Sequence, residues 1–386
     1  MRLAFVIHRF GEDVFGGIEF LCKELAQHLS KYFDIEIITT CAKDYLIWEN
    51  QFPKGEEKQN SYLIKRFEVD FKRNIKLFNL FSKIVFFFPH PLSWEIKWMK
   101  MQGPYSSSLF NYLLKNKFKY DGFIFFSYLY ATSLFGLQIV KEKSILIPAA
   151  HDEKPIYLGI FRNLFQIPKA IIFNTSKERE FLLKRFPFLS SKISTVGCFG
   201  IDVQKLNKKN SIVKDKFFLY IGRIDEAKGC YELFKYFTKY KKKRKTSCKL
   251  ILIGEKKMPI PKREDIIYLG CISEKEKFSI MQDALALIIP SKFESLSIAL
   301  LEAWGVGIPA VVNGKSDVLR EHIKKAHAGV CYHNYFEFEF ALDLFLRNPY
   351  LKQKMGEKGK EYVNKNFSWE NIEKKLKNFI ENVFSK

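Results

Sequence analysis

Short apolar runs alternate with longer segments of helical spacing from the start of the chain. Residues 2–10 form a compact apolar run, Gly16 and Gly17 predict a turn, residues 18–33 carry apolar side chains at helical spacing, and residues 35–40 are apolar again. This order of strand, glycine turn, helix and strand is a βαβ unit. It predicts a parallel sheet with the glycine turn at the carboxyl edge.

The same alternation continues to about residue 200 and then starts again, which predicts two α/β domains. In the first domain it predicts three further strands and a helix, at residues 123–126, 144–149, 170–174 and 177–185. In the second it predicts four strands and a helix, at residues 217–221, 250–253, 286–289, 310–312 and 230–243. We place the domains at residues 1–200 and 213–366, with a linker at about 197–216. An amphipathic helix at about residues 369–384, within the segment 367–386, is expected to pack back on the first domain.

The length and composition agree with two globular domains. A chain of 386 residues with 47% hydrophobic residues is long enough for two cores and is neither disordered nor fibrous. Seven cysteines without a C-x-x-C pair predict reduced thiols. His8 and Arg9 interrupt the first apolar run, which predicts no secretory signal and a cytoplasmic protein. Residues 123–140 carry no charge, but their polar side chains favour a strand, a loop and a helix over a membrane span.

The strongly basic balance changes this picture, because a formal net charge of +22 requires an anionic partner. Nucleic acid, anionic lipid and a phosphate-bearing substrate are the candidate classes. Nucleic acid is not expected, since no zinc-finger, RNP-like or heptad pattern accompanies the lysines. Residues 72–103 mix lysines with aromatic residues and lack strand alternation. They predict either contact with an anionic membrane surface or packing within the first domain.

Two glutamates stand out in residues 290–309, PSKFESLSIALLEAWGVGIP, where a strand is expected to end and a helix to begin. Glu294 lies in the turn and Glu302 lies in the helix, about 12 Å apart at the rise of an α-helix. This exceeds the roughly 5–9.5 Å between the carboxylates of glycosidases, so the two should hold the two ends of one ligand. The helix start between them supplies amide groups that attract phosphate, at Ser295, Leu296 and Ser297.

A second anion-binding element is predicted in the same domain. In YIGRIDEAKG, a strand ends at Gly222 and is followed by Arg223 and Lys228. Arginine grips phosphate oxygens in a bidentate way and lysine adds a point charge. The two cations could therefore neutralise a departing nucleoside diphosphate.

These two stretches resemble the signature of family 4 of the retaining glycosyltransferases, with GRIDEAKG as its G-R-x4-K-G-like motif and Glu294 to Glu302 as its E-x7-E motif. Further matching segments are FGGIEFLCKELAQHLS, AAHDEKP, FNTSKEREFL and GCFGID, at residues 15–30, 149–155, 173–182 and 197–202. The resemblance covers almost the whole chain. It implies an α/β protein of the GT-B fold, with two Rossmann-like domains whose parallel sheets face each other across a cleft.

The resemblance also implies roles for individual residues. Arg223 and Lys228 would bind the donor pyrophosphate. Glu294 would bind the transferred sugar, Glu302 the ribose, and His151 would lie beside the reacting anomeric carbon.

The first domain would contribute Gly16 and Gly17, whose backbone amides would approach the phosphate and the acceptor, which requires residues without a Cβ. This chain departs from the family at Leu296, where many members have an aromatic residue, and at Ser297, where they have glycine. The two differences affect how closely the backbone can approach the phosphate. They leave the predicted neutralisation of the phosphate charge unchanged.

The resemblance implies a hexosyltransferase-type enzyme that retains the anomeric configuration. The sequence has no Asp-x-Asp pair, which predicts that the enzyme needs neither a metal nor another cofactor. The donor would be a UDP- or GDP-sugar. The acceptor would be a glycan or a lipid-linked molecule of cell-surface polysaccharide synthesis, and the enzyme would work in the cytoplasm, with possible peripheral contact to the inner face of the membrane. The alternatives are a non-enzymatic binding module, a nucleic-acid-binding basic protein, a nucleotide-sugar epimerase and a glycosyl phosphorylase.

Overall fold

The protein is described by a computed structural model that covers residues 1–14, 16–59, 61–201 and 215–385. It divides into two compact units, an N-terminal unit of Met1–Phe199 with Ile372–Lys386, and a C-terminal unit of Gly200–Asn371. Most of the predicted linker and the predicted start of the second domain, at residue 213, lie outside the described residues. Phe15 and Asp202, which belong to two of the family-like segments, also lie outside them.

The N-terminal unit contains an eight-stranded sheet in its described residues. Its strands are β1 (Arg2–Val6), β2 (Asp34–Thr40), β3 (Gly55–Gln59), β4 (Tyr62–Phe67), β5 (Gly122–Phe126), β6 (Ser144–Ile147), β7 (Ala170–Phe173) and β8 (Ile193–Val196). They lie in the order β3-β4-β2-β1-β5-β6-β7-β8. Every neighbouring pair is parallel except β3 with β4. The side chains of β5, β6 and β7 are buried throughout, because helices cover both faces of a parallel sheet.

The helices of this unit lie between its strands along the chain. They are α1 (Gly17–Leu29), α2 (Ile75–Phe87), α3 (Leu92–Gln102), α4 (Ser107–Asn116), α5 (Ala131–Val140), α6 (Gly159–Gln166) and α7 (Ser176–Arg185). The buried faces of α2 to α7 meet β5 in one core cluster that includes Trp98, Phe123, Phe125, Phe161 and Phe165. Residues 123–140, which carry no charge, form β5, a short loop and α5, as predicted. Among the described residues, no helix is long and apolar enough to cross a membrane.

The C-terminal unit contains a parallel six-stranded sheet in its described residues. Its strands are β9 (Phe217–Ile221), β10 (Lys249–Ile253), β11 (Ile266–Gly270), β12 (Leu287–Ile289), β13 (Ala310–Asn313) and β14 (Gly329–Tyr332). Its helices are α8 (Cys230–Arg244), α9 (Glu274–Asp283), α10 (Ile298–Val306), α11 (Asp317–Ala326), α12 (Tyr335–Arg347) and α13 (Pro349–Asn366). The sheet order β11-β10-β9-β12-β13-β14 is the order 3-2-1-4-5-6 of a Rossmann-type domain.

The last helix, α14 (Trp369–Phe384), belongs to the N-terminal unit from Ile372 onward. The Nζ atom of Lys375 donates to the carbonyl oxygen of Val196 at 2.6 Å. Near the end of the helix, the ring of Phe384 packs on Gly122 so closely that a Cβ there would lie 2.2 Å from the ring. The helix is therefore part of the packing of this unit.

Candidate functional site

The strand order places one special position in the C-terminal sheet, between β9 and β12. The chain runs to one side of β9 through β10 and β11, and to the other side through β12, β13 and β14. Loops leaving adjacent strands in opposite directions open a crevice at the carboxyl ends, and ligands of such sheets bind there. The loops that follow β9 and β12 are the two stretches in which the sequence placed its candidate residues.

The loop after β9 is held against the end of β12 by a glycine. Gly229 has a φ of 79°, which favours glycine, and it is the N-cap residue of α8. A Cβ at this position would lie 2.4 Å from the carbonyl oxygen of Pro290. A similar approach occurs at the start of the loop, where a Cβ on Gly254 would lie 2.1 Å from the carbonyl oxygen of Gly222. The glycines let three strand ends pack into one surface.

This packing brings Lys228 and Glu294 together. The Nζ atom of Lys228 donates to Oε1 of Glu294 at 2.8 Å, and the two side chains are 31% and 12% exposed. The backbone of Lys228 also donates to Oδ1 of Asp225 at 2.7 Å. The other oxygen of Asp225 lies 3.3 Å from Nε of Arg223. Both predicted phosphate-binding cations therefore have a carboxylate partner.

The start of α10 follows Glu294 directly. Its N-cap residue, Ser297, has a φ of 67° and a ψ of 73°, in the left-handed region, and its side chain makes no capping hydrogen bond. Leu296 and Ser297 are buried, and Ser295 is partly exposed. An α-helix leaves its first amide groups without an intrahelical acceptor, and α10 has no acidic residue in its first turn. The helix start can therefore accept an anion.

Glu302 lies apart from this pair in its contacts. It is only 4% exposed on α10, and its Oε1 accepts a hydrogen bond from Nζ of Lys277 on α9 at 2.9 Å. Burial raises the pKa of Glu302, although the charge of Lys277 acts against that rise. Glu302 thus forms a buried ion pair, and its predicted contact with a ribose stays a prediction.

In the N-terminal unit, the corresponding position after β1 contains Gly16 and Gly17. A Cβ on Gly16 would lie 2.1 Å from Oε2 of Glu19, whereas a Cβ on Gly17 would have no atom within 4 Å among the described residues. Packing within this unit therefore requires glycine at position 16 and leaves space at position 17.

Glu19 forms a buried cluster with the two residues that follow the apolar run of β1. Its Oε1 accepts from Nε of Arg9 at 2.6 Å and lies 3.1 Å from Nε2 of His8. Although burial acts to raise it, Arg9 and His8 lower the pKa of Glu19 to about 2. Burial lowers the pKa of His8, and its ring stacks on Tyr130 with 3.7 Å between centroids.

His151 lies in the loop after β6 and is partly exposed. Its Nε2 lies 3.5 Å from Oε2 of Glu153, whose other oxygen accepts from the hydroxyl of Tyr128 at 2.7 Å. Burial acts to raise the pKa of Glu153, but His151 and Tyr128 outweigh it and the pKa is lowered. Behind the loop, the buried Glu178 accepts from the backbone of Ala150 at 2.5 Å, and burial raises its pKa to about 8.

Within the described ranges, no group of three or more His, Cys, Asp or Glu side chains could hold a metal ion. The predicted independence of metal and cofactor stays a prediction.

The chain is similar in sequence and in structure to known proteins. Residues 202–362 match the family described as glycosyl transferases group 1. A solved structure of sucrose-phosphate synthase from Thermosynechococcus elongatus superposes with a TM-score of 0.74 at 15% sequence identity, covering 100% of this chain and 99% of that chain. The chain has the GT-B fold.

Two other proteins show the same relation. HepE of Anabaena, solved in complex with UDP-glucose, has a TM-score of 0.68 at 11% identity and covers 99% of this chain and 100% of that one. An uncharacterized glycosyltransferase of Methanocaldococcus jannaschii is 26% identical over 189 residues, which are 45% of this chain and 48% of that protein. The match therefore spans about half the length of that curated relative.

The GT-B fold confirms the predicted α/β architecture with two parallel sheets, and with the family match it supports a glycosyltransferase. The structure brings the predicted residues Lys228 and Glu294 into contact, next to the helix start at residues 295–297. Gly16, Gly17 and His151 belong to the other unit.

Sequence reasoning missed several polar residues that hold these sites, namely Asp225, Lys277, Glu19, Glu153 and Glu178. Asp225 could have been identified from the sequence, because it is a carboxylate between the two predicted cations in GRIDEAKG. His8 and Arg9 could also have been identified, because polar residues that follow a buried strand lie at the carboxyl edge of a parallel sheet. No sequence pattern could have identified Lys277, because its contact with Glu302 depends on how α9 packs on α10.

Proposed function

We propose that this protein is a retaining, metal-independent glycosyltransferase of family 4 that moves a sugar from a nucleotide diphosphate donor to a hydroxyl group. The proposed acceptor is a glycan or a lipid-linked molecule of cell-surface polysaccharide synthesis, and the proposed location is cytoplasmic. One observation carries the proposal. The ion pair of Lys228 and Glu294 lies at the crevice between β9 and β12, directly before a helix start without a side-chain cap.

The ion pair supports a diphosphate donor because both partners can exchange their contacts. The ammonium group of Lys228 donates to Glu294 at 2.8 Å. An incoming pyrophosphate offers Lys228 a stronger anion and the α10 amides an acceptor. Glu294 is then free to accept hydroxyl groups of the sugar. Arg223, at the other side of Asp225, is placed to contribute a second cation.

The same groups explain how the donor bond could break without a metal. Negative charge grows on the departing phosphate oxygen, and two cations with a helix start stabilise charge of that sign. In the proposed reaction the bond between the anomeric carbon and the diphosphate breaks, and the acceptor hydroxyl attacks that carbon on the same face through an oxocarbenium-like state. The proton of the hydroxyl goes to the departing diphosphate. His151 is proposed to lie beside the anomeric carbon, as the resemblance implies. Glu153, at 3.5 Å from His151, orients that ring and receives no covalent role.

The proposed donor is a UDP-sugar, with a GDP-sugar as the alternative. HepE, which shares the GT-B fold, was solved with UDP-glucose, and this supports the first choice. A thermal-shift series with UDP, GDP, ADP and their sugars, in buffer with a chelator, tests it. A ligand at about 100 times its Kd adds about 2.7 kcal/mol of stability, so one nucleotide should raise the Tm clearly above the others.

The site is tested by Lys228→Ala and Glu294→Ala, with Lys242→Ala as the matched control because Lys242 is an exposed lysine near the opposite end of α8. We expect both site variants to lose transfer by at least about 100-fold, as when one stabilising donor of a transition state is removed. The control should keep full turnover. Near-normal turnover in both site variants would refute the proposal. Release of nucleoside diphosphate in step with a new glycosidic bond distinguishes a transferase from an epimerase or a phosphorylase.

A further inference from the structure

Helices α2 and α3 form a hairpin, residues 75–102, that exposes large apolar side chains. Phe87 and Phe88 at its tip are 64% and 63% exposed, and Leu77, Leu80, Leu92 and Trp94 are exposed along its length. The inner side is ordinary core, where Trp98 is buried and donates its indole N–H to Ser82. Apolar side chains grouped in this way on a protein surface indicate an interaction site.

The charges on the hairpin have one sign. Lys76, Leu80, Lys83 and Phe87 recur at spacings of four, three and four residues, which places them on one face of α2. On α3, Lys97 and Lys100 are exposed. Residues 71–103 contain a single acidic residue, Glu95, and it is buried.

A surface of aromatic and aliphatic side chains interleaved with lysines matches an anionic lipid bilayer. The apolar side chains enter the boundary between headgroups and acyl chains, while the lysine heads remain among the phosphates. An anionic membrane surface also attracts a chain of net charge +22 from a distance. A second copy of this chain would bring the same lysines against one another, so a homodimer through this face is disfavoured.

The hairpin tip lies beside the loop of His151. The Nζ atom of Lys154 lies 4.2 Å from the ring centroid of Phe87. On the other helix, Oε2 of Glu95 accepts from the backbone of Ile160 at 2.7 Å, which fixes α3 to the start of α6. Lys154 is three residues after His151 in the same loop. A bilayer that received Phe87 would therefore lie next to that loop.

We propose that the α2–α3 hairpin docks on an anionic lipid bilayer through Phe87, Phe88 and the lysines of α2, and that it thereby presents a membrane-anchored acceptor to the loop of His151. The second half rests on the proposed function. The first half does not, because it depends only on the exposed side chains of the hairpin.

The docking is tested by sedimentation of the full chain with vesicles of phosphatidylcholine alone and with about 30% phosphatidylglycerol, at low and high salt. We expect binding to the anionic vesicles that falls with salt. The double variant Phe87→Ser/Phe88→Ser should bind at least tenfold more weakly, because two aromatic rings no longer enter the bilayer. Lys76→Ala/Lys83→Ala should weaken binding about fivefold for each lysine removed.

The matched control is Phe336→Ser/Phe340→Ser. These two rings are 71% and 67% exposed on α12 and lie among acidic residues, at Glu337, Glu339 and Asp343. The control should bind vesicles like the parent chain. Equal binding by the parent and the Phe87/Phe88 variant would overturn the proposal. So would a parent chain that is dimeric by light scattering when the Phe87/Phe88 variant is monomeric, because a second copy would then cover the hairpin.

The acceptor half is tested by transfer to an acceptor embedded in vesicles and to a soluble analogue of it. The Phe87/Phe88 variant should lose transfer to the embedded acceptor about tenfold and keep transfer to the soluble one. Equal loss on both would overturn this half. A chain that binds vesicles as expected but binds no nucleotide would refute the proposed glycosyltransferase function and leave the docking intact.

Discussion

The two units carry sheets of the same Rossmann type, but the charged residues at their carboxyl edges are placed differently. After β1, Glu19 is buried with Arg9 and His8 and pairs with both. After β9 and β12, Lys228 and Glu294 are also paired, but Lys228 is 31% exposed. A buried ion pair is fixed by the high cost of separating its charges, whereas a partly exposed one can exchange partners. The same topology thus carries a buried cluster in one unit and a partly exposed ion pair in the other.

The largest expected effect separates these two clusters by stability. Glu19→Ala leaves Arg9 and His8 buried without their carboxylate and should cost about 3–5 kcal/mol of unfolding free energy. Glu294→Ala removes a partner from a lysine that water can reach, and should cost at most about 1 kcal/mol. Urea unfolding followed by fluorescence measures both. Similar losses in the two variants would show that the clusters do not differ in this way.

Acid should weaken the buried cluster selectively. The pKa of Glu19 is about 2 in the folded chain, below its ordinary value of 4.5. The stability from Glu19 is therefore complete above about pH 4.5 and is lost as the pH falls towards 2, with an amplitude of about 3 kcal/mol. The unfolding free energy, measured in steps between pH 6 and 3, should fall less steeply in Glu19→Gln than in the parent. Parallel curves would contradict the role of Glu19.

A third ion pair lies between these extremes. Glu302→Ala leaves Lys277 buried on α9, but Glu274 remains 2.7 Å away. We expect a loss of about 2 kcal/mol, below the 3–5 kcal/mol typical of a broken buried pair. Nucleotide affinity measured on the same variant addresses the predicted ribose contact, because a purely structural Glu302 would lower the Tm without changing the Kd of the folded chain.

The smallest expected effect concerns the helix start beside Glu294. Ser297 has a φ of 67°, which costs a residue with a Cβ about 1 kcal/mol. Ser297→Gly should therefore raise the unfolding free energy by up to about 1 kcal/mol. Ser316 is the matched control, because it caps α11 with a φ of −85° and accepts a hydrogen bond from Leu319. Ser316→Gly should destabilise the chain, and a loss of stability in both variants would argue against strain at Ser297.

The sequence predicted the buried strands well and the exposed ones poorly. The bounds of β9 and α14 agree with the predicted residues 217–221 and 369–384, since their apolar patterns are strong. Strand β3 was missed because its sequence, GEEKQ, is polar and exposed at the sheet edge, so it carries no hydrophobic pattern. Such strands form because a neighbouring strand offers hydrogen bonds, which a local pattern does not reveal.

The candidate site shows the same limit. Family-like spacing singled out Lys228 and Glu294, which are 66 residues apart, but their contact depends on Gly229 resting against Pro290. The resemblance also marked Ser297 as a departure from glycine, and the positive φ at that residue explains why glycine suits the position. Partners such as Asp225 for Arg223 and Lys277 for Glu302 come from packing, and a pattern along the chain does not determine them.

The pairing of Lys228 with Glu294 also bears on which anions this site would bind. A lone lysine at a helix start would collect inorganic phosphate and other small anions of the cell, whereas here a carboxylate already occupies it. Under the proposed function, a ligand binds tightly only if one molecule carries both a diphosphate for the lysine and hydroxyl groups for the displaced glutamate. The site would then select ligands that carry both groups. Free nucleotides without a sugar should therefore bind more weakly than the intact donor.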